Sequence, residues 1–284
     1  MAGTESFTVS PTDSLRVGEG FRLDEVDPSA KPGFEGKKED GKAALRAKEK
    51  TVSDLQERLF AESRFGSRKS VLLILQGMDT SGKGGVVRHV VGAADPQGVE
   101  HHAFKAPTAE EKEHGFLWRV EKEIPGYGII GVFDRSHYED VLIHKVHKLS
   151  PEEEVEGRYD AINNFESGLV KGGMSIIKVM LHIGRDEQKD RLMERLDRPD
   201  KHWKYSPGDL EDRALWSKYQ AAYQTAIERT NTEAAPWYVV PADRKWYARL
   251  AVQQLLIDVL EGMDLKWPKA TFDVEEQKEK LAKS

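Results

Sequence analysis

The stretch Gln76–Gly85 reads QGMDTSGKGG, with Gly77, four intervening residues, Gly82 and then Lys83. That spacing is most of a phosphate-binding P-loop. Glycines let successive backbone N–H groups turn toward an anion. The helix that follows offers its positive end, and the lysine adds a full charge. Gly77, Gly82 and Gly84 are therefore candidates for close backbone approach to phosphate. A Gly-rich strand-to-helix turn with a solvated lysine would show the same letters, so context has to decide. Gly84 stands where a Ser or Thr usually helps hold Mg²⁺. Asp79, inside the loop, is the candidate replacement ligand. A carboxylate among phosphates repels them unless a cation bridges the two. Its other reading is a local turn hydrogen bond.

A second carboxylate, Asp134, follows the apolar run Gly128–Phe133 and is followed by Arg135. In a parallel sheet, ligands gather at the carboxyl ends of strands, which would bring Asp134 to the crevice of Lys83. An acid there resembles the aspartate that supports Mg²⁺ or orients a nucleophile in P-loop enzymes, and Arg135 has the geometry to clamp a phosphate. Asp134 could equally cap the next helix. Between Arg185 and Lys218 the chain carries nine Lys or Arg and nine Asp or Glu. Composition therefore does not mark this segment as cationic. Arg191, Arg195 and Arg198 do fall on one helix face before Pro199 interrupts it. A lid over phosphates and a solvated, ion-paired helix both fit. Lys105, Arg119 and Arg244, with Lys245, stand near expected strand ends or core and could face phosphate, although a surface role is the default for a single cation. His144 and His147 lack a supporting ligand framework.

These residues need elements to hold them. Val71–Leu75 is a short continuous apolar run of the kind a buried parallel strand shows. Gly128–Phe133, Ser175–Ile183 and Trp237–Ala242 are similar, and His101–Pro107 is weaker. Helical patterns separate them: Lys42–Phe65, Gly84–Ala94, Ala109–Glu123, Pro151–Lys171, Arg185–Leu196, Asp209–Asn231 and Lys245–Gly262. The alternation predicts an α/β domain with a parallel sheet covered on both faces. The P-loop spacing then sits where it must, after a buried strand and before a helix. Residues 1–40 show no period and read as an extended arm, wrapped on the domain or a neighbouring subunit, or else loosely packed. The main domain spans 41–270, with the lid candidate at about 185–218, and a charged tail fills 271–284.

The chain has 284 residues, 38% of them hydrophobic, which suffices for a sizeable core. With 43 Lys and Arg against 49 Asp and Glu, the net charge is −6, a poor basis for general nucleic-acid binding. The absence of Cys removes disulfides, thiolate metal sites and cysteine nucleophiles. No apolar run is long enough to span a membrane, and the first twenty residues lack a secretory apolar core, so a cytoplasmic location is the expectation.

Taken together, GMDTSGKGG, FKAPT, FLWRV, FDRSHYED, RLDRPDKHWKYSPGD and APWYVVPADRKWYARL resemble the second family of polyphosphate kinases, over about Leu45 to Trp267. The resemblance implies a thymidylate-kinase-like P-loop kinase fold of three layers with a helical lid. It also implies Mg²⁺-dependent transfer of the terminal phosphoryl of inorganic polyphosphate to a nucleotide. Carried over, Asp79 and Asp134 would hold magnesium, and Lys83 and Arg135 would bind the transferring group. Arg195, Arg198, Lys201, Lys105, Arg119 and Arg244 would line the polyphosphate path, and the protein would be a homodimer or homotetramer. GMDTSGK and FKAPT look like members accepting nucleoside mono- and diphosphates. Gly84-Gly85 and FDRS look like members restricted to diphosphates. ADP, giving ATP reversibly, fits either; AMP and guanine nucleotides stay open. Competing readings are a kinase using ATP as donor on a small molecule or nucleotide, and a non-catalytic nucleotide-dependent switch.

Overall fold

A computed structural model describes residues 7–284. Five strands, β1 (Ser70–Gln76), β2 (Val99–Ala103), β3 (Ile130–Asp134), β4 (Met174–His182) and β5 (Trp237–Pro241), form one sheet. Its order is β2-β3-β1-β4-β5 and every pairing is parallel. The helices are α1 (Pro11–Ser14), α2 (Lys38–Ala47), α3 (Glu49–Ser63), α4 (Lys83–His89), α5 (Trp118–Glu121), α6 (Ile143–Val146), α7 (Glu152–Lys171), α8 (Arg185–Asp197), α9 (Gly208–Ala214), α10 (Trp216–Thr230), α11 (Lys245–Gly262) and α12 (Val274–Ala282).

Side chains of the central strand alternate between two cores, as the two-residue period of a strand requires. Val71, Leu73 and Leu75 pack with Val52, Leu55 and Leu59 of α3 and with Leu250, Ala251 and Leu255 of α11. Leu72 and Ile74 pack with Tyr159 and Ile162 of α7 and Tyr223 and Ala226 of α10. This is the expected three-layer α/β arrangement, with a sheet buried on both faces. None of the described helices is long and apolar enough to cross a membrane.

Four expected helices are interrupted. The run from Lys42 divides at Lys48 into α2 and α3. The Gly84 run stops at His89 and continues as a 3₁₀ turn, Val91–Ala93. The stretch 109–123 keeps only a 3₁₀ turn at Glu111–Glu113 and the short α5, because Gly115 interrupts it. The long helix from Asp209 breaks at Leu215. Helical period survives such a break, so periodicity alone misses it.

The arm is bound to the domain throughout its described part. Leu15, Val17, Leu23 and Phe34 are buried. The Val239 amide donates to the Leu15 carbonyl at 3.0 Å, and the Val17 amide to that of Trp237 at 2.9 Å, extending the β5 edge. Farther on, the Pro28 carbonyl accepts from the Asp243 amide and the Pro32 carbonyl from the Tyr247 hydroxyl.

Among the described residues, one charged side chain is fully buried within the sheet. Lys178, in the middle of β4, is fully buried and donates to Glu166 at 2.7 Å, Tyr138 at 3.0 Å and the Thr230 carbonyl at 2.7 Å. Glu166 also accepts from Tyr138 at 2.7 Å. Removing one partner of such a pair strands the other charge. Lys178→Met is expected to cost about 3–5 kcal/mol of stability, read by urea unfolding. A loss below about 1 kcal/mol would mean that the pair is dispensable.

Candidate functional site

The loop between β1 and α4 is shaped by its backbone. Gly77 has φ +150°, and a Cβ there would come within 2.7 Å of the Leu181 carbonyl oxygen. Gly82, at φ +116°, caps α4, and Thr80 adopts φ +63°. Lys83 folds back over the loop and donates to the Gly77 carbonyl at 2.8 Å. Burial, and after it the neighbouring Arg135, pushes the lysine below its ordinary pKa, while Asp134 and Asp79 pull it back up. The buried hydroxyls of Thr80 and Ser81 have no hydrogen-bond partner in the protein. The loop thus gathers an ammonium and two orphaned hydroxyls.

Helix α8 anchors this loop from outside. Arg191 donates to the carbonyls of Thr80 at 2.8 Å and Ser81 at 3.3 Å, and to those of Ala242 at 2.7 Å and Asp243 at 2.8 Å. It ties the P-loop to the end of β5. Gln188 adds a bond to the Asp79 carbonyl at 3.2 Å. Arg191→Met leaves those carbonyls without a charged donor, so a loss of at least about 3 kcal/mol is expected in urea unfolding. An unchanged midpoint would contradict the anchoring role.

Pairing of β1 with β3 sets Leu75 opposite Asp134, so both strand ends open on one edge. Arg135, at φ +66°, donates its amide to the Leu75 carbonyl at 3.0 Å. Its guanidinium meets Asp79 Oδ1 at 2.9 Å and Glu139 at 3.4 Å. Glu139 holds Arg135 firmly charged, while burial pushes the Glu139 carboxyl above its ordinary range. Ser136 caps the following turn, its hydroxyl accepting from the Tyr138 amide. The capping role open to Asp134 is therefore filled by Ser136.

Asp79, Lys83, Asp134 and Arg135 line one cavity of about 710 Å³, together with Gly82 and Gly84. Its cations are Lys83, Arg88, Arg135, Arg191, Arg195, Lys201, Lys204, Lys245 and Arg249, against the carboxylates Asp79, Asp134, Glu194 and Asp209. A net-acidic chain has concentrated positive charge at one place, which is what a polyanion site demands. Gly77 borders a small adjoining recess.

The other expected residues divide. Arg195 and Lys201 line the cavity, each already facing a carboxylate: Asp209 at 3.2 Å and Asp200 at 3.1 Å. Arg198 does not line it. The helix ends at Asp197, and Arg198 turns to Asp200 and Glu194 on the surface. Arg244 donates to the Ser29 carbonyl at 2.7 Å and serves the arm. Lys105 lies outside the cavity, its carbonyl accepting from Arg119 at 2.8 Å. Arg119 lines a second cavity of about 810 Å³ with Phe116, Asp140, His144 and Arg158. The segment Asp134–Asp140 runs from the first cavity to the second. Arg88, His89, Asp209 and Arg249 escaped the sequence reading, and Lys204 entered it only as one of the cations of the lid segment. Of these, Arg249 carried a signal, standing one helical turn beyond Lys245 on the same face.

Comparison with known proteins identifies the family. Residues 35–268 match the family described as Polyphosphate kinase 2 (PPK2). The chain is 45% identical over 248 residues to an AMP/ADP-polyphosphate phosphotransferase of Meiothermus ruber, covering 87% of this chain and 91% of that one. It is 41% identical over 278 residues to an ADP-polyphosphate phosphotransferase of Rhodopseudomonas palustris, covering 92% and 93%. The crystal structure of a polyphosphate kinase 2 from Arthrobacter aurescens superposes with a TM-score of 0.97 at 60% identity, covering 98% and 99%.

Proposed function

This chain belongs to the polyphosphate kinase 2 family, and on that footing we propose that it transfers the terminal phosphoryl group of inorganic polyphosphate to ADP, forming ATP. The observation that carries this reading is the 710 Å³ cavity, lined by cations and opening directly from the P-loop. Trp203 is its one aromatic lining residue other than histidine among those described. A donor of repeated phosphates satisfies such walls along its whole length, whereas a base would find only Trp203 and His89 to stack on among the described lining residues.

Phosphoryl transfer proceeds through a loose transition state with charge on the equatorial oxygens, so catalysis is positioning and electrostatics. The P-loop amides and Lys83 hold the donor's terminal phosphoryl. Arg135, kept charged by Glu139, clamps its oxygens. A terminal oxygen of ADP attacks that phosphorus, the bridging anhydride bond breaks, and a polymer shorter by one phosphate leaves with the bridging oxygen. One anhydride replaces another, so the step reverses when ATP is in excess.

A divalent ion fits the donor set. Magnesium is commonly held by one or two carboxylates, with waters and substrate phosphates completing six oxygens. Asp79, whose Oδ2 is left by the Arg135 contact, and Asp134 would hold it beside the orphaned hydroxyls of Thr80 and Ser81. Among the described residues no three metal-ligating side chains converge, so water and substrate phosphates would have to supply the other ligands. When bound, the ion would neutralise charge between two approaching polyanions.

The second cavity is where we place the nucleoside of the acceptor, since the Asp134–Asp140 segment joins it to Arg135. The relatives' names include both AMP and ADP, and the acceptor range is tested by a matrix. Polyphosphate or ATP is supplied as donor against AMP, ADP, GMP and GDP. ATP from ADP and polyphosphate alone supports the proposal. Activity only with ATP as donor would replace it with a conventional kinase.

A further inference from the structure

The polyphosphate reading leaves open where the chain goes after its terminal phosphate. The expected course lay under the lid, along Arg195, Arg198 and Lys201. In the structure Arg198 is turned away, and Arg195 and Lys201 already have carboxylate partners. The opposite wall differs. Arg88, exposed near the end of α4, and Arg249, half-buried on α11, line the same cavity. Among the described residues neither lies within 4 Å of a carboxylate, whereas Lys245 has one distant partner, Glu194 at 3.7 Å.

These arginines crowd each other. Burial, then the neighbouring Arg191 and Arg88, pushes Arg249 below its ordinary pKa. His89 is lowered by burial and by the same two arginines, Arg249 and Arg88. Like charges held together without counter-charge cost free energy, unless an anion offsets them. The packing is specific as well. A Cβ on Gly85 would lie 3.0 Å from the Arg249 guanidinium, so the glycine leaves room for that group on the first turn of α4. Lys83, Arg249 and Arg88 then form a cationic row leading from the P-loop along α4.

We propose that the polyphosphate chain leaves the P-loop along the groove between α4 and α11, with Arg88 and Arg249 binding phosphates distal to the reacting one. This rests on the cavity being a polyphosphate site. Gly84 and Gly85 then have a second role, clearing the helix surface that the polymer crosses. The two arginines touch no reacting atom, and their effect depends on donor length.

The test compares Arg88→Gln and Arg249→Gln with the parent at saturating ADP. Two donors are used: a long-chain polyphosphate and the shortest oligophosphate that the parent turns over. The donor KM for the long chain is expected to rise about tenfold per substitution, with kcat retained. For the short donor the KM should move less than about twofold. Arg88 is exposed, so its variant remains informative if Arg249→Gln folds poorly. An equal rise for both donors, or none for the long chain, would overturn the path while leaving the phosphotransferase reading intact. A parent forming no ATP from either donor would remove that reading too.

Discussion

Replacing Lys83 by methionine is expected to lower kcat by about 10²–10³-fold while leaving the folded state as stable as before, or more so. The two effects share one cause. The ammonium is buried, holds one carbonyl of its own loop, and is pushed toward its neutral form by burial and by Arg135. Without substrate it is a charge taken from water and only partly offset by Asp134 and Asp79, which destabilises the fold. With a phosphate chain in the loop, it gains the counter-charge it lacks. Removal therefore deletes transition-state stabilisation and relieves the free protein, a common trade at functional sites. Thermal unfolding with steady-state kinetics checks both halves. A variant that is much less stable, or that turns over near the parent rate, would contradict the assignment.

Asp134→Asn is expected to have an effect of the same order, at least about 10² in kcat, with substrate KM values within about threefold of the parent. Asparagine keeps the shape and removes the charge. Asp134 ends β3 directly opposite Leu75, facing the cavity where two polyanions meet. Its carboxylate is needed most when the attacking and leaving oxygens share charge, so the loss falls on kcat. A normal kcat with a raised KM would make Asp134 a binding residue instead.

The site was legible where sequence sets geometry locally. Gly77, Gly82 and Lys83 announce a loop that needs left-handed backbone and a cation, and β1 and β3 announce their burial by composition. Asp79, Lys83, Asp134 and Arg135 accordingly meet in one cavity. Distribution of cations was not legible. Arg191, Arg195 and Arg198 share a helical spacing, yet one anchors loop carbonyls, one faces the cavity and one faces solvent. Spacing fixes a face, but the end of α8 and the packing around Arg191 fix the task. Arg88 and Arg249 lie far apart in sequence and meet only because α4 packs on α11. Lys178 contradicts the apolar run around it, and its partners Glu166, Tyr138 and Thr230 come from distant segments. The arm, without period, is held by carbonyl and amide bonds that no side-chain pattern records.

The most direct test is ATP formation from ADP in magnesium, with inorganic polyphosphate as sole phosphoryl donor, for the parent and Lys83→Met side by side. The parent should form one ATP for each terminal phosphate lost from the polymer, and the variant about a hundredth as much or less. No ATP from the parent, or equal rates from the two proteins, would show that this cradle does not carry the transfer.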